Sequence, residues 1–219
     1  SSLHGLVVFS GDETLRNPGP QYDGLRAIAD QLAAMIENRN LLQQTTNALD
    51  LIQSQYETSS RVFRTSDLSE LLQAVYDFVG GVFDHAELIY SDADGITRVV
   101  ATVDAGQSAL VDRVVLLADY PASATLNVLE AREIRNVDED VFITDHERAQ
   151  LQADGVKALV ILPIVNNFLV NGLIMLTSGS RNRVAPDRLR AMRSLADQVG
   201  VVLQNRNLLQ TMKMNLQEI

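Results

Sequence analysis

The side chains that could perform chemistry are few and scattered along the chain. The acidic run Asp138-Glu139-Asp140 and nearby Asp145 could hold a cation, but carboxylates at this spacing have no fixed geometry, so a solvated loop is favoured. His85 and His146 are the internal candidates for an axial haem ligand, and an ordinary surface position is the alternative for each. No nucleophile–base pair, phosphate-cradling glycine loop or metal-ligand cluster is evident, so the sequence predicts a protein that is not an enzyme.

Composition narrows the function classes further. The 219 residues include 28 acidic and 18 basic side chains, a net charge of −10, and no cysteine. The lack of cysteine excludes disulfides, thiolate metal sites and any cofactor attached through a thioether. The acidic excess lies in residues 65–187, so nucleic acid and anionic membranes are poor partners. With no apolar run of membrane-spanning length, the sequence predicts a cytoplasmic protein.

The chain repeats itself at an offset of 167 residues. Asn38–Gln43 recurs identically as Asn205–Gln210, and upstream Gly5–Ser10 matches Gly172–Thr177 in character. One register without gaps therefore joins a strand to a long helix twice, which indicates one whole copy preceded by the end of another.

The repeat sets the predicted domain boundaries. Residues 1–45 are the tail of a preceding copy (its last strand and exit helix), and residues 46–64 are a connecting helix. Residues 65–204 are a complete domain, and residues 205–219 begin an outgoing signalling helix. The chain is thus expected to be a piece of a tandem array. A strand at 5–9, cut off from its own sheet, would be disordered or would pair with an exposed edge.

Both long helices carry an apolar seam. Between Tyr22 and Arg64 there is no proline, and a helix of that length spans about 60 Å, more than one small domain can cover. After Leu49 the spacing shifts to Ile52 and Tyr56, which predicts a stutter. The sequence favours a homodimer over an amphipathic helix packed only on its own domain, and a parallel arrangement of the helices over an antiparallel one. The predicted seam residues are Leu32, Met35, Arg39, Leu42, Leu49, Val199, Val202, Arg206 and Leu209.

The segments between the seams predict an α+β domain, with a central antiparallel sheet flanked by helices. Apolar periodicity of 3.6 residues indicates helices, and short apolar runs bounded by turn residues indicate strands. In chain order these are a helix from Leu68, strands His85–Ser91 and Thr97–Asp104, an apolar run Leu110–Leu117, a helix after Pro121 to about Ala131, a short strand Glu133–Val137, a short helix Glu147–Ala153, strands Ala158–Val165 and Leu169–Thr177, and an exit helix opened by Pro186.

This ordered set resembles a GAF domain. The run Gly155–Ile164, a short turn and then Gly172–Leu176 look like the closing half of that fold. The helix at 122–131 with the strand after it is similar to the family's middle. Leu195-Ala196-Asp197-Gln198 and Asn205–Leu208 are similar to exit helices of GAF domains in bacterial tandem sensor proteins. The resemblance covers roughly residues 55–210, with a fragment of a preceding GAF domain at 3–45.

The resemblance implies a pocket for a small ligand or chromophore between the sheet and its covering helices. The residues expected to line it are Tyr90, Tyr120, Asn127, Phe142 and Leu162, and simple core packing is the alternative. The lack of cysteine excludes a covalently attached bilin. Cyclic nucleotide binding is disfavoured, because the Asn-Lys, Phe and Asp-Glu signature is incomplete around Asn136 and Phe142. The cofactor, if one exists, stays unknown.

Two functions follow from the resemblance. The first is a sensory relay module that dimerises and transmits a small-molecule signal through its helices to a downstream effector in the same chain, such as a histidine kinase or a cyclase. The alternative is a ligand-free connector that only dimerises.

Overall fold

The computed structural model describes residues 20–65, 67–79, 81–91, 95–116, 120, 129–166 and 169–217. Two compact units are distinguished, residues 1–53 and residues 54–219. The predicted strand at 5–9 and most of the predicted helix after Pro121 lie outside the described residues.

Four helices and six strands make up the described chain, and they confirm the predicted α+β class. The helices are α1 (Pro20–Arg64), α2 (Leu68–Val79), α3 (Asp145–Ala153) and α4 (Pro186–Gln217). The strands are β1 (His85–Ser91), β2 (Thr97–Asp104), β3 (Gln107–Val114), β4 (Arg132–Ile134), β5 (Ala158–Asn166) and β6 (Leu169–Ser178). The strands form one sheet in the order β3-β2-β1-β6-β5-β4, and every neighbouring pair is antiparallel.

Several element boundaries differ from the sequence prediction. The third strand begins at Gln107, three residues before the apolar run, because β2 and β3 are joined by a tight turn at Ala105-Gly106. The fourth strand ends at Ile134, where its pairing with β5 ends. The short helix begins at Asp145, because the Thr144 side chain caps it, and this places His146 in the helix and not in a loop.

The sheet has two differently covered faces. On the face that we call the helix face, Ile164 lies beneath Gly200 of α4, and Asn207 of α4 donates a hydrogen bond to the Tyr90 hydroxyl (3.0 Å). On the other, the cavity face, Ile89, Ile161, Leu173 and Met175 form a cluster with residues of β4, α3 and the loops around them. Strand residues alternate between these faces, so the sheet is the centre of two apolar layers.

Burial in α4 corrects one predicted seam residue. Val199 has the helical spacing of a seam position, yet it is fully buried within its own domain. Its neighbours on the same helix stripe are also buried, because this stripe covers the sheet: Met192, Leu195, Ala196 and Leu203. The other seam residues predicted in α4 are not part of this buried stripe, and Leu209 is exposed.

Candidate functional site

A cavity of about 680 Å³ opens on the cavity face of the sheet. One wall is formed by β1, β2, β3 and β6, and the other by α3, the residues that follow α3, Val115 and Tyr120. The lining residues are His85, Glu87, Asp104, Arg113, Val114, Val115, Tyr120, Gln150, Leu151, Asp154, Val156, Met175 and Thr177. This volume suits a small organic ligand.

Strand alternation places two titratable side chains at this cavity. His85 pairs with Thr177 of β6 and Asp104 of β2, while Glu87 pairs with Met175 of β6. Residues two apart on a strand share a face, so the histidine and the glutamate lie side by side above the sheet. Glu87 is only 8% exposed, which makes it one of the few buried charged residues in the described chain.

The Glu87 carboxylate is held by three different residues. Arg113 of β3 donates from Nη2 to Oε1 at 2.8 Å, and the Tyr120 hydroxyl donates to Oε2 at 3.3 Å. His85 Nε2 lies 3.6 Å from Oε1, and its Nδ1 lies 2.5 Å from Asp104 Oδ1. We call this set the Glu87 network. It joins three adjacent strands to Tyr120 at the edge of the cavity.

The network determines which groups carry charge. The hydrogen bond with Glu87 raises the pKa of His85, against the opposing effect of burial, and Asp104 adds to the rise. Burial alone would raise the pKa of Glu87, but the hydrogen bond from His85 and the charge of Arg113 prevail and lower it. Burial and the neighbouring Glu87 charge raise the pKa of Tyr120. The site therefore holds an ionised glutamate, a histidine biased towards its cation, and a neutral phenol.

The opposite wall is formed by α3 and the residues after it, where Leu151 and Val156 lie beside the polar Gln150 and Asp154. Thr144 and Glu147 form a capping box at the start of α3, and Leu151 faces the sheet core. Arg148 donates to the carbonyls of Val137, Asp140 and Ile143, and so ties the loop before α3 to the helix. The cavity therefore offers apolar side chains together with a charged network, which suits a ligand that has both apolar and polar parts.

The structure separates the five residues predicted to line a pocket. Tyr120 lines the cavity. Tyr90 and Leu162 lie on the helix face: Tyr90 contacts Asn207, and Leu162 is two residues from Ile164 on the same strand. Phe142 is 58% exposed and stacks on the Arg132 guanidinium, 3.8 Å from the ring centroid. Asn127 is outside the described residues.

The sequence interpretation missed most of the Glu87 network. Part of the network could have been predicted, because His85 and Glu87 are two residues apart in a predicted strand and their side chains would share a face. Arg113 and Tyr120 could not be connected to them, because 26 and 33 residues separate these two from Glu87. Only the pairing of β1 with β2, and of β2 with β3, brings the arginine beside the glutamate.

The geometry also bears on the candidate metal and haem ligands. Both ring nitrogens of His85 face carboxylates, so its imidazole is held as a hydrogen-bond donor. Two acidic-loop residues pair with basic or amide groups: Asp140 with Arg132 (3.3 Å) and Asp138 with Gln152 (2.7 Å). Across the described part of the chain, no group of three or more His, Asp or Glu side chains is arranged to hold a metal ion.

Among the helices that the structure describes, none combines the length and the apolar character needed to cross a membrane.

The sequence pattern of the GAF domain family matches residues 65–203. A comparison with curated proteins gave no match. Among solved structures, the chain is similar to the chromophore-binding domain of an unusual bacteriophytochrome from R. palustris, with TM-score 0.58, 17% identity, and coverage of 78% of this chain and 63% of that one.

Two further structures show the same likeness. The phytochrome photosensory core module of Stigmatella aurantiaca has TM-score 0.58 and 21% identity, covering 72% of this chain and 37% of that one. The blue-light absorbing form of the Thermosynechococcus elongatus PixJ GAF domain has TM-score 0.53 and 15% identity, covering 75% and 95%. This chain thus spans less than two thirds of either phytochrome chain, and the similarity at these identities is one of fold.

Proposed function

Because this chain belongs to the GAF domain family, we propose that it is a non-catalytic sensory module that binds a small molecule and relays its presence through α4. The observation that carries the proposal is the buried Glu87 network on the wall of a 680 Å³ cavity. Burying a carboxylate is costly unless it is paired, and a network of this kind at a cavity is typical of a binding site. The downstream effector would be a domain of the same chain, such as a histidine kinase or a cyclase.

A physical route from the cavity to α4 supports the relay. Glu87 faces the cavity, and Tyr90, three residues along the same strand, faces the helices and bonds Asn207 of α4. A ligand that displaces β1 would therefore disturb the contact between Tyr90 and Asn207. Since α4 continues as a helix to Gln217, a small movement at Asn207 would be carried along the helix axis.

Homodimerisation is the second part of the proposal. The apolar residues Ile28, Met35, Leu42, Leu49, Tyr56 and Phe63 follow one another at seven-residue intervals along α1, and each is more than half exposed. Because Tyr56 lies seven residues beyond Leu49, this stripe continues without the predicted stutter. A heptad stripe of this length fits a parallel coiled coil with a second copy of the chain.

The alternative function is a ligand-free connector. The observation that favours it is that much of the cavity face is already filled by an apolar core cluster. A connector would keep the dimer seam and the route through β1, but its stability would not respond to any small molecule.

The test compares two tryptophan variants on the same strand. Val114 is exposed and lines the cavity, whereas Leu110 is equally exposed on β3 and does not line it. Thermal unfolding is measured with a panel of purine and pyrimidine nucleotides, amino acids and linear tetrapyrroles. A compound that raises the unfolding temperature of the wild type and of Leu110→Trp, but not of Val114→Trp, supports the sensory function. Failure of every compound, or equal stabilisation of both variants, would support the connector.

A further inference from the structure

We infer that residues 25–40 of α1 form a docking face for a second GAF-type sheet, that of the preceding copy in a tandem array. This face would use the contacts with which α4 covers the sheet of the described domain. The inference takes up the predicted tail of a preceding copy at residues 1–45, and it is independent of whether a ligand binds.

The buried apolar side chains of α4 have apolar equivalents in α1. From Met192 onwards, the buried apolar side chains of α4 are Met192, Leu195, Ala196, Val199 and Leu203. The repeat offset of 167 converts these into Leu25, Ile28, Ala29, Leu32 and Ile36. Every one is apolar, and Ile28, Leu32 and Ile36 are each more than 40% exposed in α1. α1 thus has the same apolar stripe as α4, but the large residues of this stripe are exposed to solvent in α1.

The repeat also includes the polar side chains that anchor α4 to the sheet. Two α4 side chains anchor the helix to the sheet: Arg193 donates to the Pro163 carbonyl at 3.0 Å, and Asn207 donates to the Tyr90 hydroxyl at 3.0 Å. The equivalent residues of α1 are Arg26 and Asn40, identical at both positions. A coiled-coil partner would need neither residue, whereas a sheet with a carbonyl and a hydroxyl at those places would need both.

An intrahelical pair is retained as well. Arg193 lies 3.1 Å from Asp197, one turn along α4, and this pair steadies the guanidinium beside the Pro163 carbonyl. Arg26 and Asp30 repeat the pair at the same spacing. The anchor and the residue that supports it are therefore both present in α1.

The docking face shares Ile28 with the heptad stripe of the dimer and separates from that stripe towards the C-terminal end of α1. Ile28, Leu32 and Ile36 recur every four residues, while the seam residues Met35 and Leu42 recur every seven. The two stripes therefore diverge along the helix, so that one helix can cover a sheet with one stripe and meet another helix with the other. Leu32, predicted in the seam, is equivalent to the buried Val199 and belongs to the docking face.

One difference between the helices specifies the partner sheet. A Cβ at Gly200 would lie 3.1 Å from Ile164 Cγ2, tighter than an ordinary contact, and α1 has Ala33 at that position. The sheet that α1 covers must therefore carry a smaller side chain than Ile164, or one shifted by a few tenths of an ångström.

The experiment exchanges helices within the full chain. Residues 192–210 are replaced by the sequence of residues 25–43, and a control chain receives residues 39–57 of the same helix in their place. The control segment is helical and keeps the heptad pattern, but it puts Gln43, Thr46 and Asp50 where Ala196, Val199 and Leu203 are buried.

We expect the exchanged chain to unfold cooperatively within roughly 10 °C of the parent and to keep slow amide exchange in β5 and β6, whereas the control loses both. Arg26→Ala with Asn40→Ala in the exchanged helix should lower its midpoint. An exchanged chain that unfolds like the control, or whose midpoint is unchanged by these two substitutions, overturns the inference.

A second measurement identifies the occupant. In the unaltered chain, Ile36→Asp is on the docking face and Leu42→Asp is on the seam. If Ile36→Asp lowers the solution mass as much as Leu42→Asp does, a second copy covers the docking face and the inference is wrong. A mass unchanged by Ile36→Asp supports it. Neither result depends on the ligand panel, so failure of the sensory proposal is recognised separately.

Discussion

Glu87 is a buried charge that would destabilise the fold if it lost its partners, and the same carboxylate could recognise a ligand. It is nearly buried, and it stays ionised because Arg113, His85 and Tyr120 surround it. Removing the partners would leave an uncompensated buried charge, a strongly destabilising state. Among the described residues, the Glu87 Oε2 at the cavity accepts one hydrogen bond, from the Tyr120 hydroxyl at 3.3 Å, so a ligand N–H or O–H could also donate to it.

His85 gives the site a dependence on pH. Its pKa is raised in the folded protein, through Glu87 first, so the folded state binds the proton more tightly than the unfolded chain does. The stabilisation is fully present below the ordinary histidine pKa and is lost as the pH rises through the raised value. We predict that His85→Gln lowers the free energy of unfolding by about 1 kcal/mol at pH 5.5, and by clearly less at pH 9.

Urea unfolding followed by circular dichroism at the two pH values measures this difference. His146→Gln is the matched control, because His146 is exposed in the first turn of α3. An effect of His85→Gln that is the same at both pH values, or that grows with pH, would show that the ion pairs with Glu87 and Asp104 contribute nothing.

At the scale of elements, β1 is the strand that contributes Glu87 to the cavity on one face of the sheet and Tyr90 to the contact with α4 on the other. Its residue Tyr90 pairs with Gly172 of β6, and the tyrosine ring lies over that glycine. A Cβ on Gly172 would fall 2.3 Å from the Ile89 carbonyl oxygen, a distance that backbone cannot accommodate without moving. The glycine is therefore a packing requirement of the β1–β6 pair.

Gly172→Ala should destabilise the domain by roughly 2 kcal/mol, because the two central strands must separate locally. Gly179→Ala is the control, since a Cβ there meets Asp84 and Gly155 only at 3.6 Å, an ordinary contact. Chemical denaturation of both variants gives the comparison. Equal, small effects would mean that β1 and β6 adjust freely and that β1 is a poor transmitter of strain to Tyr90.

At the scale of the whole molecule, the exposed heptad stripe predicts the state of association. Leu42 and Leu41 are adjacent and both exposed, but only Leu42 lies on the stripe. In α4, Leu209 and Leu208 form the equivalent pair. We expect Leu42→Asp and Leu209→Asp to shift the solution mass from dimer towards monomer, because a buried carboxylate pair in a coiled-coil core is strongly unfavourable.

Light scattering coupled to gel filtration, at several protein concentrations, measures the mass. Leu41→Asp and Leu208→Asp should leave it unchanged, which separates loss of the seam from a general effect of added charge. Retention of the dimer in all four variants would exclude the stripe as the interface, and a monomeric wild type would exclude the dimer itself.

Much of the fold could be predicted from local pattern. Helix periodicity defines α2 and α4, and strand-like runs define β1, β2, β5 and β6, because each of these elements buries one continuous stripe or a whole apolar segment. The spacing of apolar residues and the lack of proline define α1, although its apolar stripe is exposed. The spacing of Thr144 and Glu147 is that of a capping box, which predicts the start of α3. The repeat, which relates Arg26 to Arg193 and Asn40 to Asn207, is also visible in the sequence alone.

The composition of the site could not be predicted from the sequence, because it depends on how the strands and helices pack. Alternation along a strand creates two faces, but the register with the neighbouring strands and the position of the helices decide which face meets a cavity. Tyr90 and Tyr120 are thus both aromatic residues of the same domain, yet one bonds α4 and the other bonds Glu87 across the sheet. Likewise Val199 and Leu209 share a spacing, and only the sheet beneath α4 decides that the first is core and the second is surface.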